Sequence, residues 1–412
     1  VRVSLPPPAA VVLAIGGLYV GQSVIGGLTF IALPSVLRER GLPLDQIGLT
    51  YLAVLPWALK FLWAPAVERY RLPAAGRARS RRIVLATTLI SAVGLVAVGL
   101  IGPVAFVPLI SVFVLIAFAA STGDIACDGH AVETLSQAHH GWGNAAQVGG
   151  AYLGSAIGSG LFLVLVARLD WRLASFAMAG LLLVLALPFL LSPPPAAPAR
   201  RTHQPALKQA LKRPEMRAGL LLAAIYVPAQ KWGVAMLGPY LVDSGLDLAS
   251  IGLVNGIGGL AVGFACALLG GALVRAFGAR SVLVLALLLQ ASSLAGLGLA
   301  AWRGLPQPLV LTLALASSSG VMALGFVALY ARFMALSDPR QAGVDFTLLQ
   351  CMDGLVSMAA GVGSGWVAQH LGYGACFALA AAAALVAAPL TALLGGPAVP
   401  DRPAARRQAA PG

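Results

Sequence analysis

The chain has 412 residues, 59% of them hydrophobic and only 10% charged, with a mean hydropathy of +0.88. A soluble domain carries about 25% charged residues, so this composition excludes a soluble globular fold and points to a polytopic membrane protein. The net charge of +13 does not point to nucleic acid, because the basic residues sit in short segments between apolar runs.

About 20 apolar residues span a bilayer. Twelve such runs occur, at roughly 11–35, 46–64, 83–101, 104–133, 145–167, 171–191, 218–240, 248–273, 281–301, 307–334, 346–368 and 373–394. The first is too long for a signal-peptide core and no A-x-A site follows it, so it is expected as a retained helix. Most connections are short. The exception, 192–217, begins SPPPAAPARR, which ends the sixth helix, and continues PALKQALKR. There Leu207 and Leu211 lie at i, i+4 beside Lys208, Lys212 and Arg213, the pattern of a short amphipathic helix on the membrane surface. The tail 395–412, with four prolines, is expected to be disordered. Cys127, Cys266, Cys351 and Cys376 lie in apolar runs with no C-x-x-C pair and read as free buried thiols, with no disulfide and no metal site.

Charge sets the orientation. With the N-terminus inside, the inside segments, counting Arg332 at the inner end of the tenth run, hold 20 of the 27 basic residues; the outside ones, counting Arg172 at the outer end of the sixth, hold 5, namely Arg38, Arg40, Arg168, Arg172 and Arg303. Both termini are therefore expected in the cytoplasm. The two remaining cations, Lys60 and Lys231, fall within helices.

The fourth run is the most informative. STGDIACDGHAVE (121–133) continues its apolar stretch without a turn signal. Asp124 and Asp128 are four residues apart and share a helix face, about 6 Å from each other. A carboxylate near the bilayer centre costs roughly 2.5–3.5 kcal/mol by insertion scales. Two on one face suit a solute or proton site facing a polar cavity or a partner cation; the alternative is a structural charge cluster at the cytosolic helix end. His130, Asp128 and Glu133 do not share one face, so no metal set is expected, and His139 and His140 read as loop residues.

The chain also repeats itself. GLPLDQIGL (41–49) returns as GLDLASIGL (245–253) with six of nine positions identical, and AIGSG (156–160) returns as GVGSG (361–365). The chain is thus read as an all-α membrane protein of two pseudo-symmetric six-helix bundles: 1–191, a cytoplasmic linker 192–217, 218–394 and a tail. This resembles the major facilitator superfamily, whose halves rock about a midplane site. The resemblance implies that helices 1, 4, 7 and 10 line a cavity and that helices 5 and 8, and 2 and 11, meet across the halves. Glycines at four-residue spacing on helix 5 (Gly150, Gly154, Gly158), helix 8 (Gly252 with Gly256, Gly259 with Gly263) and helix 11 (Gly361 with Gly365) allow close approach there, or serve ordinary tight packing.

The superfamily's G-x-x-x-D-R-x-G-[RK] loop after helix 2 appears as APAVERYR, with Ala64 for the glycine and Glu68-Arg69 for the acid–base pair; its second-half counterpart GGALVRAFGAR has Val274 in place of the acid. A narrower match lies in LPWALKFLWAPAVERYR (55–71) and GDIACDGHAVE (123–133). These are similar to the branch of AmpG-type muropeptide permeases and acetyl-CoA transporters, and in compact length the chain most resembles RhtX/FptX siderophore permeases. That implies import of a siderophore or iron–siderophore complex across the bacterial inner membrane by alternating access. The chain would act as a monomer, be driven by the proton gradient, and need no ATPase, cofactor or metal of its own; iron would enter only with the cargo. A muropeptide or other small-molecule permease or exporter of the same superfamily is the alternative.

On this reading Asp124 and Asp128 form the proton-coupling site, one carrying the coupling proton and the other holding a cargo group or a cation. Lys60, on helix 2, partners either acid or snorkels to the interface. Glu133 and Arg69 form a latch at adjacent cytosolic helix ends. Lys231, near the middle of helix 7, is the cargo contact, the alternative being half of a buried ion pair, with Gln230 and Trp232 beside it and Tyr19, Gln22 and Ser23 as the polar break on helix 1. Asp353 on helix 11 is a gate acid expected to pair with Lys60 across the halves. An intramembrane hydrolase using an aspartyl dyad, or Ser155 or Ser159, is the reading from another class; both aspartates on one helix and no histidine placed to activate either serine count against it.

Overall fold

The computed structural model describes residues 8–71, 78–134, 140–192, 207–337 and 342–394, and every regular element among these is helical. Nine helices are long and apolar enough to cross a bilayer, and the bent pair Leu44–Leu62 and Ala64–Arg71 makes a tenth. Two of the nine, Leu248–Arg303 with 56 residues and Asp345–Leu394 with 50, would run about 84 and 75 Å if straight, far beyond a hydrocarbon core of about 30 Å. Each is broken at one glycine in the left-handed region, Gly278 (φ 80°) and Gly372 (φ 82°). Each is therefore two crossings, which makes twelve among the described residues.

In chain order the crossings are α1 (8–39), α2 (44–71), α3 (Ser80–Ile101), α4 (Phe106–Thr134), α5 (140–168), α6 (Trp171–Leu191), α7 (214–243), α8 (248–277), α9 (279–303), α10 (307–336), α11 (342–371) and α12 (373–394). The sequence stops α2 at 64, whereas it runs on to Arg71 through a bend of 61°. It also spreads the 8–9 and 11–12 turns over several residues, where one glycine does the work. The amphipathic linker helix is present as Leu207–Lys212, with Leu211 on an exposed face. Arg213 beyond it pairs with Asp345 and donates to the carbonyl of Leu336 at 2.7 Å, tying the linker to α10 and α11. The tail 395–412, His139 and the side chains of Glu133, His140 and Lys208 lie outside the described residues.

The twofold repeat is visible in the backbone. Gly41 and Gly245, which open the two copies of the repeated nonapeptide, hold φ of 83° and 86°, a conformation that only glycine adopts without penalty. Helices α3, α6, α9 and α12 turn leucine and valine outward, among them Val93, Val184, Leu289 and Val386, as lipid-facing helices must.

The glycine stripe of α5 does a different job from the one expected. A Cβ on Gly154 or Gly158 would overlap the carbonyl oxygens of Val20 and Val24 on α1. The stripe therefore fastens α5 to α1 inside the first half. The two halves meet two residues further along, on the opposite face of the helix, where Gly160 abuts Gly256 and a Cβ on Gly252 would stand 2.7 Å from the Gly160 carbonyl. On the other side a Cβ on Gly48 would stand 2.9 Å from the carbonyl of Gly361, so α2 and α11 touch as expected.

The buried core is joined at one end and split at the other. One cluster runs through both halves, from Leu33, Val36 and Leu163 to Leu237, Leu241 and Phe377. Toward the opposite end, where α6 finishes and α7 begins, two separate clusters replace it. One is built from the second half around Tyr226, Leu287 and Phe333, with Ala210 of the linker helix; the other only from the first half around Ile15, Val84 and Phe189. The halves are thus packed together at the end bearing Arg38 and Asp243, and each has its own core at the end bearing Arg71 and Arg213.

Candidate functional site

Between the halves lies a cavity of about 520 Å³, within the size range of small-molecule sites. Its aromatic wall comprises Phe30, Tyr51, Trp57, Tyr152 and Phe326. Its neutral polar groups include Gln22, Ser155, Ser159, Asn255, Ser319 and Gln350, and its charged ones are Lys231 and Asp353. Four helices change to π-winding where they border it: Leu28–Ala32, Ala156–Leu161, Val254–Gly258 and Ala316–Val321. Each contributes lining residues. A π-turn interrupts the regular i to i−4 ladder, and such bulges gather at functional sites.

Among the described residues, each half holds an ion pair that joins two of its crossings. In the first half Lys60 donates to Asp124 at 2.9 Å, with side-chain exposures of 9% and 8%. Asp128, on the same face of α4, accepts from the Tyr19 hydroxyl at 2.7 Å, and the Lys60 ammonium lies 5.6 Å from the Trp57 ring. None of Lys60, Asp124 and Asp128 lines the cavity. In the second half Lys231 donates to Asp353 at 2.8 Å and to Ser357 at 2.9 Å, its ammonium 4.8 Å from the Phe326 ring. The second oxygen of Asp353 accepts from Tyr330 at 3.0 Å. Lys231 keeps 25% of its side chain exposed against 8% for Asp353; both line the cavity, and the cation is the more open of the two.

Several expected partners change. Asp353 pairs with Lys231 within its own half, and Lys60 is taken by Asp124, so there is no Lys60–Asp353 bridge. Of the residues expected around Lys231, Gln230 is fully buried. It donates to Tyr226 at 3.2 Å, and its backbone carbonyl accepts from Gln290. Trp232 turns to Gly363 on α11. Both leave the cavity because residues 100° on either side of Lys231 around a helix must face its neighbours. On α1, Gln22 lines the cavity, whereas Tyr19 holds Asp128 and Ser23 packs on Gly154.

At the split end, Glu68 is held by Arg71 rather than Arg69, through two bonds of 2.8 Å. Arg71 is fully buried and its guanidinium lies against Gly129, while Arg69 is exposed. The bend in α2 turns its last residue inward and explains the exchange. The expected Arg69–Glu133 latch falls on a side chain outside the described residues.

The sequence missed the contacts at the joined end. Arg38 grips both carboxylate oxygens of Asp243 at 2.7 and 2.8 Å; Tyr373 donates to the same carboxylate at 2.8 Å. The backbone N–H of Leu44 donates to Gln369 at 2.7 Å. Arg38 and Leu44 belong to the first half, the other three to the second. The signal was the spacing of 205 between Arg38 and Asp243, which places both at the ends of repeat-related helices. Tyr330 and Ser357 carry no such mark. Among the described residues there is no cluster of three or more His, Cys, Asp or Glu suited to a metal ion.

The family model of the Major Facilitator Superfamily matches residues 13–302. An anhydromuropeptide permease of Escherichia coli K12 is 26% identical over 393 residues, covering 93% of this chain and 79% of that one. Among solved structures, a bacterial homologue of the human lysosomal transporter Spinster, inward-facing and unoccupied, superimposes with a TM-score of 0.71 at 16% identity, covering 95% of this chain and 97% of the other. A D-xylose–proton symporter does so with a TM-score of 0.70 at 14% identity, over 93% and 96%. With twelve crossings, a cavity between two halves and a family model matched over most of its length, the chain belongs to the major facilitator superfamily and is a multi-pass secondary transporter.

Proposed function

We propose that this transporter is a proton-driven permease of the bacterial inner membrane whose cargo is a small, polar molecule carrying a carboxylate, of the muropeptide kind. The observation that carries this reading is the cavity itself. Aromatic faces suit the apolar faces of sugar rings, hydroxyl and amide side chains suit hydroxyl and acetamido groups, and one lysine suits an acid. Similarity to an anhydromuropeptide permease along 93% of the chain favours this cargo over the iron–siderophore complex that the sequence resemblance implies.

The excess of basic residues in the segments on the side of the termini supports a cytoplasmic placement of that side. The joined end then faces out, the split end faces in, and the described conformation is inward-facing. Coupling is assigned to Asp124 and Asp128, which are shielded from the cavity and have Lys60 and Tyr19 as partners. Proton movement there alters the Lys60 pair between α2 and α4 without contact with cargo.

Uptake of a labelled muropeptide into liposomes holding the purified protein, with an imposed pH gradient, tests this function. Accumulation of unaltered cargo is expected, and Asp124→Asn should lower it severely while leaving folded protein in the membrane. Normal accumulation in that variant removes Asp124 from coupling. Cells lacking the protein should lose cell-wall fragment recycling; loss of growth on one siderophore as iron source, with recycling intact, returns the cargo to the siderophore.

A further inference from the structure

The two intramembrane ion pairs are not equivalent. Lys60 and Asp124 are both shielded from the cavity, whereas Lys231 and Asp353 line it. Both members of the second pair also belong to the second half, on α7 and α11, so rocking of the halves neither makes nor breaks it. A charged pair set in a cargo cavity and indifferent to rocking serves neither as a gate nor as a cross-half latch.

We propose, building on the transport reading, that Asp353 is an internal stand-in for a carboxylate of the cargo. An entering carboxylate takes the place of Asp353 on the Lys231 ammonium, and Asp353 accepts one proton as it is released. The geometry supports each part. The cation is the more exposed partner, so a ligand meets Lys231 first. The Phe326 ring, 4.8 Å from the ammonium, steadies the cation during the exchange. Tyr330 and Ser357 already bond Asp353 at 3.0 Å each, so the released carboxyl keeps partners that serve its neutral form as well.

Charge balance supplies the proton. The resting pair is neutral, and a second carboxylate on one ammonium would leave a net negative charge in a medium that solvates it poorly. One proton on Asp353 restores neutrality. The groups facing Asp353 are Lys231 from α7, Tyr330 from α10 and Ser357 on its own helix; Lys60 on α2 is committed to Asp124. The proton therefore arrives from water in the cavity. Lys231 and Asp353 together select an acid over its neutral counterpart and bring one proton in with it.

Purified protein in nanodiscs, titrated calorimetrically with two matched pairs of probes, tests this: muramyl dipeptide against its methyl ester, and gluconate against glucose. In the wild type the acid should bind better than its neutral partner. About one proton should be taken up per acid, read from buffers of different ionisation enthalpy, and over the pH range in which it is taken up the affinity should fall up to tenfold per pH unit. Asp353→Asn removes the competitor, so it should bind the acids at least tenfold more tightly, with no dependence on pH and no proton uptake. Lys231→Gln should erase the difference between acid and neutral partner. Equal affinity changes for acid and neutral probe in Asp353→Asn, weaker acid binding in it, or no bound acid at all would overturn the proposal. If Asp353→Asn fails to fold, zero proton uptake by the wild type overturns it alone. Binding of gluconate as described with none of muramyl dipeptide would remove the muropeptide reading and leave the carboxylate exchange standing.

Discussion

The contact of Arg38 with Asp243 offers a direct way to move the resting conformation. Replacing Asp243 with Asn removes a carboxylate held by two oxygens to one guanidinium and by a third bond to Tyr373. The side chains of Arg38 and Asp243 keep 25% and 30% of their exposure, so water screens the pair and its worth lies between that of a surface pair and a buried bidentate one, about 1–2 kcal/mol. All of it is gained in the state whose joined end is closed. Asp243→Asn should therefore shift the population toward the oppositely open state by a factor of about 5–30. Spin labels on the joined ends of α1 and α7, in nanodiscs, read the distribution of distances across that end. A longer-distance population growing by this factor is expected, with unchanged thermal stability in each half. A distribution like that of the wild type would refute the assignment of these residues to the outer latch, and with it the reasoning that the joined end is held partly by charge.

Glycine substitutions should separate the two kinds of helix contact. Gly160→Leu, at the meeting of the halves beside Gly256, should close off the inward-facing state and leave the unfolding temperature nearly unchanged. Gly158→Leu, seated against Val24 within the first half, should destabilise the fold by about 1–3 kcal/mol through overpacking, read as a lower unfolding temperature. Lys231→Ala should weaken cargo binding more than Lys60→Ala does, because only Lys231 lines the cavity; equal affinities would reverse that ranking.

Much of the architecture is written in the sequence because the bilayer leaves few choices. Apolar runs of about 20 residues must be helices, so twelve crossings follow from counting. The twofold repeat is carried by residues with a backbone duty, such as Gly41 and Gly245, whose positive φ no other residue type holds without strain. The candidate site was legible one residue at a time. A buried charge in a membrane needs a partner, which marks Lys60, Asp124, Lys231 and Asp353. The pairing was not legible, because it depends on rotation of each helix about its axis. A change of 100° separates Lys231, in the cavity, from Gln230, packed against Gln290. Winding added a second concealment. Each π-segment shifts the register of everything after it, and nothing in AIGSGL or ASSSGV distinguishes a π-turn from an ordinary small-residue helix.

The shielded pair in the first half allows stability and coupling to be told apart. Lys60 and Asp124 are each less than a tenth exposed, so removing one leaves the other as an uncompensated charge, a cost of about 3–5 kcal/mol. Lys60→Met alone should therefore lower the unfolding temperature markedly. The double replacement Lys60→Met with Asp124→Leu removes both charges together and should return most of that stability, since apolar groups of similar volume often replace a buried pair at no cost. If the pair exists only to hold α2 against α4, uptake should return with stability. If it carries a coupling proton, the double variant should be as stable as the wild type and yet accumulate less cargo against a gradient, no more than one proton at Asp353 supports. Exchange of cargo across the membrane without a gradient should continue, because Lys231 and the cavity are untouched. Recovery of gradient-driven uptake together with stability would reduce Asp124 to a structural acid and move coupling to the second half, where Asp353 is the acid in contact with the cavity.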